Sequence, residues 1–419
     1  MSLKRSGVWA LVGCLCLSGP APAAQSMRAM VQDPVRPSVA LRGLMAEVLR
    51  DNPQVLAAQA ALSAAKARER GAQRPLFNPE LELDGERADV TTGFVGINQT
   101  VDWGDKRKAR ARVASFSVDE AESRLTEARL QVAAALLRRL GELDTAQALD
   151  ALGARRLTLM EEFAALTERR HKAGDIGQLD LELARISAMD ASLRKAQTAS
   201  DAVEAEQNLV AVVGESRAAW PPLPDRFGAL DLDPSQVDEI VSNIPAIRSQ
   251  RLRVAALRAT VRVRDRERVP DPTIGVRGGA ESSDLLVGIN LSVPLFVRND
   301  FRAELDAASA DLLEAEKRLQ DRFLSARSRL RSSFQRYLLT ERAWQGWTEQ
   351  GRPSLRRQMA LLKKSWRAGE LDTTQYLVQL TQALETRRSA IELHGRLRQA
   401  WFDWLAASGR AETWLGLQP

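Results

Sequence analysis

One succession of sequence landmarks occurs twice in this chain, about 190 residues apart. Residues 94–101 read FVGINQTV and residues 286–293 read LVGINLSV, so five of the eight positions are identical. Further along, Ala173-Gly174-Asp175 in the first copy corresponds to Ala368-Gly369-Glu370 in the second. Two copies are too few for a solenoid, which usually needs at least three repeats. The sequence therefore predicts one duplicated unit.

Each copy begins with a helical stretch and continues into alternating residues. Residues 80–86 read ELELDGE, and apolar side chains recur at alternate positions in 95–103 and 287–295. A period of two residues predicts strands, each with one apolar and one polar face. We expect one hairpin per copy, with its tip in 89–93 or 281–284.

A long stretch almost free of proline follows each hairpin. Residues 105–172 contain no proline, and residues 300–367 contain only Pro353. About 68 helical residues would extend on the order of 100 Å. In the second stretch, small and large apolar residues recur at the spacing of a coiled-coil seam: Leu305, Ala308, Leu312, Ala315 and Leu319. The chain is only 5% aromatic, which also favours long helices over a compact α/β enzyme.

These periods predict a mainly α fold with a small β part. Each copy has a first helical stretch (38–72 or 235–268), a hairpin, a long helix, a glycine turn and a return helix (178–213 or 372–407). The predicted boundaries are a signal peptide at 1–23, a first repeat at 38–213, a proline-rich linker at 214–234, a second repeat at 235–408 and a tail at 409–419.

The N-terminus has the features of a secretory signal peptide. Lys4 and Arg5 precede the apolar run 7–17, and Ala21-Pro22-Ala23 is a cleavage signal. Both cysteines, Cys14 and Cys16, lie within this leader, so we expect a mature chain without cysteine. Lipidation of Cys14 is the alternative. No later stretch contains 18 consecutive apolar residues, so we expect any membrane insertion to use strands.

The small number of strands predicts an assembly. Exposed sheet edges must be paired or covered, and a transmembrane barrel needs at least eight strands. Four strands per chain are therefore too few. Three identical chains would supply twelve strands around a threefold axis.

This order of elements resembles the TolC-type outer-membrane efflux channels, from about Val39 to Ala407. Within that superfamily it is most similar to CzcC-like outer-membrane components of heavy-metal RND exporters. The matching stretches are Asn78-Pro79-Glu80-Leu81-Glu82, Trp103-Gly104-Asp105-Lys106-Arg107, Val293-Pro294-Leu295-Phe296 and Arg298-Asn299-Asp300. CzcC-like chains commonly read Gly-Gly-Lys-Arg at the first passage from strand to helix, where this chain has Asp105 in place of the second glycine.

The resemblance implies a homotrimer with a shared 12-stranded barrel in the outer membrane of a Gram-negative bacterium. Long helices would form an α-barrel in the periplasm. The implied function is a passive exit duct for heavy-metal cations, of the cobalt/zinc/cadmium or copper/silver class. Its implied partners are a periplasmic adaptor and an inner-membrane RND pump. The alternatives are an outlet for multidrug efflux or type I secretion and, in another class, a periplasmic coiled-coil scaffold.

The same resemblance implies roles for the two glycine turns. They would be the tips at which the adaptor docks, and their residues are Ala173, Gly174, Asp175, Ala368, Gly369 and Glu370. Asp180 and the corresponding Gln375 would form the entrance constriction. Helix capping explains Asp175 and Glu370 equally well, and a helix N-terminus favours a structural role for Asp372.

Four acids occupy alternate positions of the first predicted strand: Glu80, Glu82, Asp84 and Glu86. If the leucines between them face lipid, these carboxylates line the lumen. Rings of carboxylates favour the passage of cations. The simpler interpretation is that any barrel lumen is wet and polar.

No catalytic, cofactor or metal motif is present in the sequence. His171 and His394 are the two histidines, and without mature cysteines they form no metal-ligand cluster. We therefore expect no enzyme activity, no cofactor and no bound metal. The formal charge is +6, but acids and bases alternate, as on solvated helix faces. Nucleic acid is not an expected partner.

Overall fold

The computed structural model describes residues 37–87, 89, 91–228, 230, 232–281 and 284–416. The predicted signal peptide and the alternative lipidation site at Cys14 lie outside these residues. The described chain consists of long helices and one small sheet.

The two copies contain the same succession of elements. The first comprises α1 (Val39–Asp51), α2 (Pro53–Ala72), β1 (Glu80–Arg87), β2 (Thr91–Thr100), α3 (Lys106–Lys172) and α4 (Gln178–Val213). The second comprises a 3₁₀ turn (Pro234–Gln236), α5 (Val237–Asn243), α6 (Pro245–Glu267), β3 (Thr273–Glu281), β4 (Asp284–Ser292), α7 (Arg302–Gly346), α8 (Arg352–Arg367), α9 (Thr373–Ser408) and α10 (Ala411–Leu415).

The helical stretch that opens each copy is broken at a proline, contrary to the single helices predicted over 38–72 and 235–268. Asn52 and Ile244 have extended backbones, with ψ of 129° and 133°. Each precedes a proline that begins the next helix. Proline disfavours the α conformation in the residue before it, so both stretches divide at the same place.

The long helices of the two copies differ. Helix α3 continues for 67 residues without interruption. The corresponding stretch of the second copy contains a π-helical turn, Trp347–Gly351, between α7 and α8. Pro353 is the second residue of α8, and its ring and missing N–H disrupt a regular helix. The unbroken helix expected over 300–367 is therefore two helices joined by a wider turn.

The four strands form one antiparallel sheet in the order β1-β2-β3-β4. Strand β2 of the first copy pairs with β3 of the second, and Ile97 lies opposite Val276. Each hairpin thus supplies half of the sheet. Within the described chain, the outer edges of β1 and β4 have no partner strand.

Helix α3 organises the packing. It contacts α2, α4, α6 and α9, while α7 contacts α6 and α9. The predicted seam on α7 is partly confirmed, because Ala308 and Ala315 are buried there. Among the described residues, no helix is both long enough and apolar enough to cross a membrane.

Two apolar clusters stabilise the helices. The larger surrounds Trp401, Phe402 and Leu136, and it includes Phe227 from the segment between the copies, 5.4 Å from the Trp401 ring. The smaller lies near the glycine turns. There Trp366 stacks on Tyr376 with ring centroids 4.6 Å apart.

Candidate channel wall and helical tips

One face of the sheet is a continuous exposed apolar surface, called here the apolar face. Its members are Leu81, Leu83, Val95, Ile97, Ile274, Val276, Leu285, Val287, Ile289 and Leu291, and they lie side by side in the strand register. Ile289 is 82% exposed. Monomeric soluble proteins rarely expose so large an apolar surface, so this face requires a lipid or protein neighbour.

The opposite face, called here the polar face, carries all four predicted acids. Glu80, Glu82, Asp84 and Glu86 are exposed on β1, and the amide of Asn98 donates to a Glu82 carboxylate oxygen at 2.9 Å. The register adds Glu281 and Asp284 to this face. The sequence therefore predicted correctly that these acids share a face, but it missed the two contributed by the second hairpin.

Arg277 is a basic residue on the polar face that the sequence analysis also missed. It lies opposite Gly96 and Gly288 and in the same row as Glu82. Its guanidinium is 5.2 Å from the ring centroid of Phe94. The sequence could have placed Arg277 on this face, because it alternates along β3 with Thr273 and Gly275 at every second position.

The passages from strand to helix have the same backbone in both copies. Asp105 and Phe301 precede α3 and α7 and adopt left-handed conformations, with φ of 53° and 57°. Glycine adopts this conformation without strain, and aspartate tolerates it better than most residues. An aspartate at position 105 is therefore compatible with the left-handed backbone of this passage.

The lysine of the first passage is buried. Lys106 Nζ donates to the Val269 carbonyl at 2.6 Å and to Asp271 Oδ2 at 2.9 Å. Both side chains are about nine-tenths buried, and Asp271 Oδ1 has no hydrogen-bond partner among the described residues. This ion pair joins the start of α3 to the approach to β3. Lys106 therefore has a structural role in this passage.

The two glycine turns have the same hydrogen bonds. Gly174 and Gly369 have φ of 83° and 76°, and each ends its helix in a Schellman motif. The amide of Asp175 donates to the Arg170 carbonyl, and the amide of Glu370 donates to the Ser365 carbonyl. All six predicted tip residues are exposed. The turns therefore present equivalent surfaces.

The helices that leave the turns begin differently. The Asp372 carboxylate accepts from the backbone amide of Gln375 at 2.7 Å and caps α9. Gly177 precedes α4 without a side-chain cap. Asp180 and Gln375 occupy the third position of their helices and so are structurally equivalent.

We expect Gly174→Ala to weaken the first turn by about 1–2 kcal/mol, because a Cβ is strained in the left-handed region. The measurement is hydrogen exchange at the Asp175 amide, which should become roughly 5–30 times faster. The matched control is Gly71→Ala, because Gly71 lies near the end of α2, has no positive φ and has open space around it. Equal acceleration in that control would contradict the assignment of strain to Gly174.

Both histidines have local structural partners. His171 Nδ1 lies 3.0 Å from the Ile176 carbonyl within the first turn. His394 stacks on Trp344 with centroids 4.3 Å apart, and burial together with the nearby Arg398 lowers the pKa of its imidazole. The described residues contain no group of three or more side chains suited to hold a metal ion.

Comparisons with known proteins agree with this geometry. A model of the family described as "Outer membrane efflux protein" matches residues 44–215 and again residues 237–410. Each match covers nearly all of one copy and extends two residues past its predicted end. A search of curated proteins found none that matches the sequence.

Several solved structures share the fold. The chain superposes on CusC with a TM-score of 0.74 at 14% identity, covering 88% of this chain and 92% of CusC. It superposes on the CmeC outer membrane channel of Campylobacter jejuni with a TM-score of 0.73 at 15% identity, covering 89% of this chain and 86% of CmeC. It superposes on the MtrE outer membrane channel of Neisseria gonorrhoeae with a TM-score of 0.73 at 16% identity, covering 91% of this chain and 90% of MtrE.

The expected TolC-like fold is therefore confirmed. Because the family model matches both copies and covers most of the chain, this protein belongs to the outer membrane efflux protein family and is a channel component, not an enzyme.

Proposed function

We propose that three copies of this chain form a passive exit duct for heavy-metal cations in the outer membrane of a Gram-negative bacterium. The observation that carries the proposal is the sheet. It has one exposed apolar face, one acidic face and, within the described residues, two edges without a partner strand. Such a sheet fits a membrane wall with lipid on one side and water on the other.

Pairing between copies would complete this wall. The edge of β4 in one chain would pair with the edge of β1 in the next, which removes every unpaired edge. Three chains of four strands would give twelve strands. The long helices below the sheet would continue the wall as an α-barrel that extends into the periplasm.

The charge of the polar face supports cations as cargo. Each chain would turn six carboxylates and one guanidinium, Arg277, toward the lumen. The carboxylates are Glu80, Glu82, Asp84, Glu86, Glu281 and Asp284. Threefold repetition would arrange them in stacked anionic rings, which concentrate cations and favour their passage. An exit duct of this kind needs no tight metal site, because tight binding would slow release.

We expect Glu82→Gln with Asp84→Gln to reduce the preference for K⁺ over Cl⁻ in planar bilayers. A carboxylate about 4 Å from a passing cation contributes about 1 kcal/mol at the dielectric constant of water. The permeability ratio should therefore fall by roughly fivefold. Arg277→Gln is the control of opposite sign and should raise the ratio. Unchanged reversal potentials in both variants would contradict a lumenal position for this face.

The exposed glycine turns support docking of a periplasmic adaptor that connects the duct to an inner-membrane RND pump. All six residues are exposed, so none of them is buried in the packing of this chain. Asp180 and Gln375 would face each other around the entrance as a mixed acidic and amide constriction. A photo-crosslinker at Ala173 or Ala368 should capture the adaptor in intact cells, whereas one at Ala65, which is buried in α2, should not.

Deletion of the gene tests the cargo class. Sensitivity to heavy-metal salts without sensitivity to drugs would support the metal duct. Sensitivity to drugs alone would favour the multidrug alternative. Release of the protein from membranes by salt, without detergent, would instead favour a periplasmic scaffold.

A further inference from the structure

We infer that the junction between the sheet and the helices binds the phosphate headgroups of anionic phospholipids. This inference rests on the proposed position of the apolar face in a membrane. The surface concerned, called here the basic collar, consists of Arg68, Arg70, Arg74, Arg107, Lys108, Arg112, Arg262 and Arg298.

In the part of the chain that the structure describes, the basic collar is exposed and lacks ion pairs. All eight side chains belong to exposed residues. Among the residues that the structure describes, none of the eight makes an ion pair, whereas the neighbouring Arg110, Arg264 and Arg266 each do. The topology brings the collar together, because the ends of α2 and α6 and the beginnings of α3 and α7 all meet the same end of the sheet.

Helix α3 carries its part of the collar at the electrostatically unfavourable end. The N-terminus of a helix is partially positive and prefers acids nearby. The first turn of α3 instead contains Lys106, Arg107 and Lys108 and no acid. Asp271 compensates Lys106, but Arg107 and Lys108 have no such partner in the described chain. The Asp102 carboxylate accepts from the backbone amides of Lys106 and Arg107 at 2.7 and 2.8 Å. It therefore caps the N-terminus of α3 and leaves the side chains of Arg107 and Lys108 to an anion outside the chain.

A cavity of about 540 Å³ lies at this point. Arg107 and Lys108 line it together with Pro75, Leu76 and Phe77, from the segment that joins α2 to β1. Asp102 and Asp105 line it too, but Asp102 accepts from backbone amides and Asp105 pairs with Arg266. Cationic and apolar groups in one cavity match a lipid phosphate and the glycerol and acyl carbons next to it. Free phosphate would use only the cationic part.

The basic collar continues directly from the apolar face. Trp103 and Val297 are exposed at the ends of the strands, and Val297 is followed by Arg298. The opposite end of the sheet is acidic, with Glu86, Asp89, Glu281 and Asp284 at or near the hairpin tips. An aromatic or apolar rim followed by clustered Arg and Lys is the pattern that recognises an anionic leaflet.

The test compares two triple variants of the full chain purified in detergent. The first is Arg74→Gln/Arg107→Gln/Lys108→Gln in the collar. The matched control is Arg329→Gln/Arg331→Gln/Lys363→Gln in α7 and α8, far from the sheet. It removes three exposed cations that make no ion pair with any described residue. The probes are phosphatidylglycerol, phosphatidylcholine and inorganic phosphate, and the readout is lipid retention in native mass spectrometry.

Wild type and control should retain phosphatidylglycerol in preference to phosphatidylcholine. The collar variant should lose affinity by about fivefold per residue removed, or about 1 kcal/mol each. Retention should also weaken with salt. Excess inorganic phosphate should displace the lipid only partly, because it lacks the apolar contact.

Four results would overturn the inference: equal retention of both lipids, equal loss in the control, complete displacement by inorganic phosphate, or a collar variant that loses trimers but not lipid. The last would mean that a second copy covers the cavity. Bilayer conductance of the same variants separates this failure from failure of the proposed function. Conductance without selective lipid retention would reject the lipid site alone.

Discussion

Replacement of Lys106 by methionine should destabilise the chain by about 3–5 kcal/mol, the usual cost of breaking a buried ion pair. The variant leaves the Asp271 carboxylate buried and without its cation, and one of its oxygens already lacks a hydrogen-bond partner among the described residues. Unfolding by urea in detergent, followed by tryptophan fluorescence, measures the change.

Two further variants sharpen this test. Lys106→Met with Asp271→Leu should recover most of the lost stability, because replacing both charges by apolar groups of similar size is often neutral. Lys108→Met removes an exposed cation two residues away that makes no ion pair within the described chain, and it should change stability by less than about 0.5 kcal/mol. Equal destabilisation by Lys106→Met and Lys108→Met would contradict the importance of the ion pair.

Replacement of Ile289 by lysine should abolish stable insertion into the outer membrane. A lysine on the lipid face of a barrel costs about 2–4 kcal/mol near the bilayer midplane, and each of the three chains would contribute one lysine. Ile289 lies on β4 with its side chain 82% exposed on the apolar face. Membrane flotation and heat-modifiable migration of the trimer give the measurement.

The control for this variant is the adjacent residue. Asn290 belongs to the polar face, so Asn290→Lys introduces the same charge into the proposed lumen. It should insert normally and reduce the cation preference of the channel. Normal insertion of Ile289→Lys, or equal failure of both variants, would contradict the proposed orientation of the sheet.

The sequence predicted the features that depend on local periodicity. The alternation in 80–86 identified β1 and the shared face of its acids, and the glycine turns ended their helices where expected. The repeat placed Asp180 and Gln375 at equivalent positions in their helices. Each of these predictions uses neighbouring residues or direct comparison of the two copies.

Features that depend on contacts between the copies could not be predicted. The ion pair of Lys106 with Asp271 joins residues far apart in the chain, and the side of the sheet that carries Arg277 follows from the pairing of β2 with β3. The breaks at Asn52 and Ile244 were predictable, because each residue precedes a proline. The helical periodicity continues across both prolines, so it wrongly predicted one helix in each stretch.

The pairing of β2 with β3 also orders the biogenesis of the sheet. The first hairpin ends at Thr100, and its partner strand begins only at Thr273. At synthesis rates of about 5–20 residues per second, β2 would wait about 10–40 s for that strand. During this interval the unpaired edge of β2 could pair with hairpins of other molecules. We therefore expect the edge of β2 to need cover by another protein until β3 is available.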